Sequence, residues 1–147
     1  MQLSLKADYA LRVLLYLGTH PGEVVSTERI SRAYGVSRHH LVRVVQTLGE
    51  HGYVQLLPGR KGGVTLARDP GFIRLGEVVR LAEPNLTLVE CFELPSNTCP
   101  ILGSCLLKKH LADALNAFLA ELDRHTLAEL LAGESGRRLT ERFVQIG

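Results

Sequence analysis

Three cysteines are the residues of this 147-residue sequence whose type and spacing could do chemistry. Cys91, Cys99 and Cys105 lie within fifteen consecutive positions, and the rest of the chain contains no cysteine. Three unrelated core cysteines would more often be scattered along the chain. A disulfide is disfavoured in a reducing cytosol, and an odd count would leave one thiol over. Because thiolates select soft and borderline metal ions, the cluster of cysteines predicts a metal centre.

The spacing of the cysteines says less about the type of metal. Zinc sites usually bring their cysteines in pairs about two to four residues apart, and the pattern C-x7-C-x5-C contains no such pair. Loosely spaced thiolates on a loop, one of them followed by Pro100, are more typical of an iron–sulfur cluster. A four-iron cluster would still need a fourth ligand. His110 is close in sequence, although a single helix histidine is more often solvated.

The elements before the cysteines follow the order of a winged helix-turn-helix. Ser26 and Ser37 are N-cap residues for two helices, and Gly35 permits the tight turn between them. A segment containing Pro58, Gly59 and the pair Gly62-Gly63 separates two strand-like runs, as expected for a hairpin tip. The predicted elements are helix 4–17, helix 27–34, a third helix that follows the cap Ser37 and runs to about residue 51, and strands 53–57 and 64–67.

The charge of this region favours DNA as the partner. Residues 28–68 contain seven Arg and Lys residues against two Glu, although the whole chain has a net charge of only +2. A solvated basic surface, or a helix-turn-helix used only for packing, would explain the charge alone. The helix caps, the tight turn, the basic face and the wing together favour DNA binding. The third helix would then read bases in the major groove, and the wing would contact phosphates or the minor groove. The candidate contact residues are Ser37, Arg38, His39, His40, Arg43, Gln46, Arg60 and Lys61.

The second half of the chain predicts a partner-binding helix. A helix over 75–82 ends before Pro84, and a long helix covers 106–124. The long helix carries a seam of Leu111, Leu115, Phe118 and Leu122, suited to a second copy of the chain or to its own core. Thr126 caps a short helix through residue 131. The predicted organisation is a winged helix-turn-helix (1–84), a cluster-binding loop (85–105), a dimerisation region (106–131) and a flexible tail (132–147).

Several classes of protein are disfavoured by the same sequence. No apolar run approaches the roughly 18 residues of a membrane span, and the first residues lack the order of parts of a signal peptide. We therefore expect a cytoplasmic protein. The sequence offers no nucleophile motif, no phosphate-binding glycine loop and no paired carboxylates in an evident cleft, so we do not expect an enzyme. The fold class expected is mostly α with a small β-hairpin.

Four segments carry a resemblance to a known family. Met-x-Leu-x4-Asp8-Tyr9-x-Leu-Arg12, residues 34–41, Gly62-Gly63 and residues 77–84 resemble the NsrR/IscR superfamily of iron–sulfur regulators. Residues 88–91 and 118–130 are similar to its nitric-oxide-sensing branch. The resemblance implies a homodimer on a palindromic operator, with a 4Fe–4S cluster, or alternatively 2Fe–2S, held by the three cysteines. It further implies Asp8 of the other subunit as fourth ligand, with Arg12 in its hydrogen-bond network.

The residues also allow simpler or different interpretations. Asp8 suits the first turn of a helix and can pair with Arg12 four residues later. The wing departs from the family pattern Arg-Gly-Lys-x-Gly-Gly because Pro58 replaces the first arginine. Lys108 stands where IscR-like members have a histidine ligand.

Three hypotheses about function follow. The first is a repressor that loses operator affinity when nitric oxide attacks its cluster. The second is a regulator of iron–sulfur supply or redox state with the same fold. The third is an electron-transfer or enzymatic iron–sulfur protein, for which the sequence shows no docking or substrate site.

Overall fold

The computed structural model describes residues 2–93, 95 and 97–146. Met1, Leu94, Ser96 and Gly147, which belong to predicted segments, lie outside the described residues. The elements in chain order are α1 (Leu5–Gly18), α2 (Thr27–Tyr34), α3 (Arg38–Glu50), β1 (Val54–Leu57), β2 (Gly63–Leu66), α4 (Leu75–Ala82), α5 (Leu106–Asp123), α6 (Leu127–Leu131) and α7 (Gly133–Ile146). The mostly helical fold class with a small hairpin is confirmed. None of the helices among the described residues combines the length and apolarity that crossing a bilayer demands.

Local signals set the helix-turn-helix. The Ser26 hydroxyl accepts a hydrogen bond from the Arg29 backbone N–H at 3.2 Å, which caps α2. Gly35 ends α2 with φ of 63°, a left-handed conformation that glycine adopts at little cost. Ser37 precedes α3 with extended backbone, but its side chain makes no capping hydrogen bond, so this part of the prediction is wrong. The first turn of α3 is formed instead by a backbone hydrogen bond, which the Leu41 N–H donates to the Ser37 carbonyl at 3.2 Å.

The wing is an antiparallel hairpin joined to the helical core. Strands β1 and β2 pair from Val54 with Leu66 to Leu57 with Gly63. Val64 also bridges to Val25, which ties the hairpin to the chain before α2. The apolar stripe of α3 packs against α1 and the hairpin. All four residues of that stripe are buried: Leu41, Val44, Val45 and Leu48.

Helix α5 is held to α4 at its C-terminal end, and most of its length is exposed or only half-buried. Arg80 of α4 donates two hydrogen bonds to the Asp123 carboxylate, at 2.7 and 2.6 Å. These bonds lower the pKa of Asp123. Of the residues of α5, all of which the structure describes, Leu119 alone is buried. The predicted seam at Leu111, Leu115, Phe118 and Leu122 is only half-buried in the single chain.

Gly76 of α4 is expected to tolerate no side chain. A Cβ there would lie 2.1 Å from the Asp123 Oδ1 and 3.0 Å from the Asp123 backbone nitrogen. Alanine would otherwise stabilise a helix by about 1 kcal/mol over glycine. Overpacking costs about 1–3 kcal/mol, so we expect Gly76→Ala to lower the free energy of unfolding measured in urea. Gly103→Ala is the control, since a Cβ there meets no atom within 4 Å. An unchanged or raised stability of Gly76→Ala would contradict the close contact.

The expectation of a flexible tail after residue 131 is wrong. Residues Gly133–Ile146 form α7, in which Gly136 and Phe143 are buried. A Cβ at Gly136 would lie 1.8 Å from the Leu131 carbonyl oxygen, so the glycine lets α7 pack closely on the end of α6. Phe143, 6% exposed, belongs to the same hydrophobic core as α1. This buried aromatic ring stabilises a helix whose composition is otherwise polar.

Candidate metal centre and nucleic-acid interface

The three cysteines lie on the loop between α4 and α5. All are free thiols, and all are half-buried. Cys91 is the middle residue of a single 3₁₀ turn, Glu90–Phe92. Cys105 occupies the N-cap position of α5, with extended backbone. The thiols are therefore partly accessible and are carried by short turns rather than by one regular element.

Two hydrogen-bonded contacts order this loop. The Glu90 carboxylate accepts hydrogen bonds from both the backbone N–H and the hydroxyl of Thr98, each at 2.8 Å. These bonds lower the pKa of Glu90. The Asn97 side-chain oxygen accepts a hydrogen bond from the Cys99 backbone N–H at 3.0 Å. Because Glu90 and Thr98 directly precede Cys91 and Cys99, their contact draws the chain together beside those cysteines. This contact was not predicted, and its only signal in the sequence is a carboxylate next to a candidate ligand.

The residues fit an iron–sulfur cluster in chemistry but not as a complete ligand set within one chain. Three free, half-buried thiols are the donors that such clusters use. Among the described residues, no group of three or more His, Cys, Asp or Glu is placed to hold a metal ion. Neither Asp8 nor the exposed His110 joins the cysteines in such a group. The structure thus supplies the donors without bringing them together around one centre.

Asp8 is held by Arg12 on α1. The Arg12 Nε donates to Asp8 Oδ1 at 2.9 Å, and a second guanidinium nitrogen lies 2.8 Å from Oδ2. Tyr34 of α2 supports this pair, because its hydroxyl donates to the Arg12 carbonyl at 3.0 Å. The Arg12 guanidinium also lies over the Tyr34 ring, 5.5 Å from its centroid. Burial raises the pKa of Tyr34. The predicted pairing of Asp8 with Arg12 is confirmed, while their roles toward a cluster stay predictions.

The N-terminal part of α3 presents the predicted contact residues to solvent. Arg38 lies 3.5 Å from a Glu28 oxygen, a mostly exposed ion pair of little strength that phosphate could replace. The ring of His40 lies 6.4 Å from that of Tyr9 in α1. The exposed residues of this face are Ser37, Arg38, His39, His40, Arg43 and Gln46.

A depression of about 250 Å³ beside this face extends the interface to α1. Leu5, Lys6 and Tyr9 of α1 line it together with His40 and Arg43 of α3. Lys6 is therefore a further candidate for phosphate contact. Lys6 was not predicted, because nothing in the local sequence shows that the start of α1 lies beside α3.

The wing closes a second groove. Arg60 and Lys61 are exposed at the hairpin tip, as predicted. A groove of about 580 Å³ lies between the start of α2, the start of α3 and the hairpin. Ser26, Arg38 and Pro58 are among the residues that line it. Gly62 permits the tip to fold tightly, since a Cβ there would lie 2.1 Å from the Leu57 carbonyl oxygen.

Arg68 belongs to the scaffold of this interface. Its Nε donates to the Gly52 carbonyl at 2.8 Å, and its terminal nitrogen donates to the His51 carbonyl. Its guanidinium stacks over the Tyr53 ring, 4.2 Å from the centroid. From the sequence, Arg68 was counted among the seven basic residues expected to face DNA phosphates. The structure shows instead that Arg68 ties the end of the wing to the end of α3.

A family comparison agrees with this geometry. Residues 3–133 match the model of the Rrf2 family, described as iron-dependent transcriptional regulators. The chain belongs to the Rrf2 family. The superfamily resemblance drawn from the motifs is thereby confirmed.

Relatives of this Rrf2 protein are named as transcriptional regulators and not as enzymes, in agreement with the prediction. The chain is 44% identical over 132 residues to the HTH-type transcriptional regulator NsrR of Bacillus subtilis, covering 89% of this chain and 90% of the relative. It is 45% identical over 139 residues to the NsrR of Geobacillus kaustophilus, covering 94% and 95%.

Solved structures of regulators share the fold of this Rrf2 protein. CymR, the global cysteine regulator of B. subtilis, has a TM-score of 0.70 and 25% identity, covering 88% of this chain and 95% of CymR. IscR of T. potens has a TM-score of 0.71 and 26% identity, covering 89% and 86%.

We expect Arg68→Ala in this Rrf2 protein to lower stability without changing base preference. The substitution removes two hydrogen bonds and a cation–π contact, for a loss of about 1–2 kcal/mol in the free energy of unfolding. Urea unfolding and binding to a panel of operator variants would measure the two effects. Arg60→Ala, at the exposed hairpin tip, is the control and should leave stability unchanged. A changed base preference in Arg68→Ala would show that Arg68 contributes to DNA contact and contradict its role as scaffold.

Proposed function

We propose that this Rrf2-family protein is a dimeric, DNA-binding repressor that holds an iron–sulfur cluster and responds to nitric oxide. The observation that carries the proposal is the loop with three free, half-buried thiols, placed between a winged helix-turn-helix and a helix with an open apolar seam. Similarity to regulators named NsrR supports nitric oxide as the signal.

The DNA-binding part of the proposal rests on α3 and the wing. Helix α3 would enter the major groove, where Arg43, His40 and Gln46 face base edges. Arg60 and Lys61 at the hairpin tip, together with Lys6 of α1, would contact phosphates. All of these side chains except Lys6 were predicted from the sequence, and all are exposed in the structure.

The dimer would form along α5. Leu106 and Leu107 are 70% and 62% exposed at the start of this helix, in line with a surface that a second copy covers. Two copies would place their α3 helices about one DNA turn, roughly 34 Å, apart, as a palindromic operator requires.

Cys91, Cys99 and Cys105 would supply three ligands, and Asp8 of the second copy the fourth. When bound, a 4Fe–4S cluster, or alternatively 2Fe–2S, supplies iron that reacts with nitric oxide. A carboxylate is a harder and weaker donor to such iron than a thiolate, so Asp8 is the ligand most easily displaced. Arg12 would accept the released carboxylate through the pairing already present in the single chain. Helix α1 would thereby connect the ligand set to the DNA-binding face, since Lys6 and Tyr9 lie beside α3.

The test is operator binding by protein purified without oxygen, before and after stoichiometric nitric oxide. We expect the cluster-loaded form to bind the operator tightly and to lose most of this affinity after nitrosylation. Gel shift would measure the DNA binding, and absorption spectra would monitor the cluster. Cluster-free protein is the control and should match the nitrosylated form. Undiminished operator affinity after complete nitrosylation would remove nitric oxide sensing from the proposal.

A second candidate is a regulator of iron–sulfur supply or redox state, supported by the structural similarity to T. potens IscR. Lys108 in the place of a histidine ligand argues against it. Operator binding that follows cluster occupancy or oxidation, and ignores nitric oxide, would favour this candidate in the same experiment.

A further inference from the structure

Helix α7 contacts the residues that hold the Asp8–Arg12 pair. The Phe143 ring lies 5.4 Å from the Tyr34 ring in an edge-to-face arrangement, and 4.8 Å from the Tyr16 ring. Tyr34 in turn holds Arg12, through the hydrogen bond to its carbonyl and the contact with its guanidinium. Three consecutive contacts therefore connect the C-terminal helix with a carboxylate on α1.

The contact is a specific packing arrangement rather than a loose association. Edge-to-face aromatic pairs contribute to stability beyond their buried area, and they fix the orientation of both rings. Phe143 is 6% exposed, whereas its neighbour Val144 is 71% exposed. Gly136 allows α7 to approach the end of α6, so the helix is held at both ends. The match to the Rrf2 family model ends at residue 133, the first residue of α7, so the rest of this helix lies outside the region that the family model covers.

We propose that α7 is a positioning element for the Asp8–Arg12 pair, and that Phe143 is the residue through which it acts. With Phe143 in place, the Tyr34 ring is confined between Phe143 and Arg12, and α1 presents Asp8 from a fixed backbone. Without Phe143, the Tyr34 ring gains freedom, and both the hydroxyl and the ring face that hold Arg12 lose their fixed position. The consequence for cluster retention rests on the proposed function, whereas the effect on α1 does not.

The experiment compares full-length variants at equal overall stability. Phe143→Ala is paired with Val79→Ala, a fully buried α4 residue outside the main core cluster that contains α1 and Phe143. Low urea concentrations bring the variants and wild type to the same free energy of unfolding. Backbone hydrogen exchange of residues 5–12 is then measured by mass spectrometry; this part of α1 carries Asp8 and Arg12 and leaves out Tyr16, which Phe143 contacts directly. Loss of cluster iron to a chelator is followed by absorption in oxygen-free protein.

We expect hydrogen exchange and iron loss to be faster in Phe143→Ala than in Val79→Ala by roughly two- to thirtyfold, the range by which residues in a contact network change coupling. Val144→Ala, on the same helix, should match wild type. Equal exchange of residues 5–12 in Phe143→Ala and Val79→Ala would overturn the proposal, as would an equal increase in Val144→Ala. If Phe143→Ala does not fold, Phe143→Leu, which keeps an apolar side chain but removes the ring contacts, takes its place.

The two readouts separate this inference from the proposed function. If wild-type protein takes up no iron, the proposed function fails, and the exchange of residues 5–12 still decides the role of α7. If the cluster is retained and exchange is unchanged, the role of α7 fails alone.

Discussion

Cys99→Ala is expected to leave the protein folded but without iron. Cys99 is one of three free thiols on the loop, and its backbone N–H is held by Asn97. Losing a residue that only orients a metal ligand costs about 10–100-fold in metal affinity, so losing a thiolate itself should cost at least about 100-fold. Iron and sulfide counts, with an absorption spectrum of protein purified without oxygen, would measure the loss. Operator binding should fall to the level of cluster-free wild type.

Ser104→Ala is the matched control for the cysteine substitution. Ser104 lies on the same loop beside Cys105, is exposed and has no thiol, so its loss should leave the iron content unchanged. The free energy of unfolding of cluster-free Cys99→Ala should equal that of cluster-free wild type. A Cys99→Ala protein with a full complement of iron would rule out Cys99 as a ligand and would direct attention to Asp8 or His110.

The helices with local signals were predictable almost to the residue. Helix α2 extends over Thr27–Tyr34 because Ser26 caps it and Gly35 ends it, both of which are properties of single residues. Helix α4 likewise ends at Ala82, shortly before Pro84. The predicted side-chain cap at Ser37 was wrong. A serine at an N-cap position can accept the capping hydrogen bond, but the Ser37 side chain makes no such bond in the structure.

The features that could not be predicted depend on partners distant in sequence. Phe143 is buried against Tyr16 and Tyr34, more than a hundred positions earlier, so no local window shows why α7 is stable. Gly136, Leu139 and Phe143 are spaced at helical intervals, but the residues around them are mostly polar, so the sequence alone does not show what this face packs against. Arg68 could be counted as a positive charge from the sequence. Only the fold shows that its charge is directed to two carbonyls at the end of α3.

The candidate site was predictable in its residue types but not in its assembly. The three cysteines were recognisable from their density, and the structure confirms that they lie on one loop. Their contacts with a fourth ligand are not formed among the described residues of the single chain. A site completed by a second copy cannot be assembled from one chain, so the role proposed for Asp8 depends on the dimer.

Arg43→Ala is expected to change which operator bases are preferred, whereas Lys61→Ala should weaken binding to all sequences alike. Arg43 is exposed on α3 beside His40, on the face proposed to enter the major groove. An arginine that reads a guanine contributes about 1–3 kcal/mol of discrimination at that base pair. A lysine on phosphate carries no base information, and its loss reduces the slope of log affinity against log salt by about 1.

Binding of cluster-loaded protein to single-base operator variants, over a series of salt concentrations, separates the two roles. Gln55→Ala is a matched control, because Gln55 is an exposed residue of β1 away from the hairpin tip. An Arg43→Ala protein with unchanged base preference and a reduced salt slope would assign Arg43 to phosphate. Base reading would then fall to His40 or Gln46, the other exposed side chains of α3 on that face.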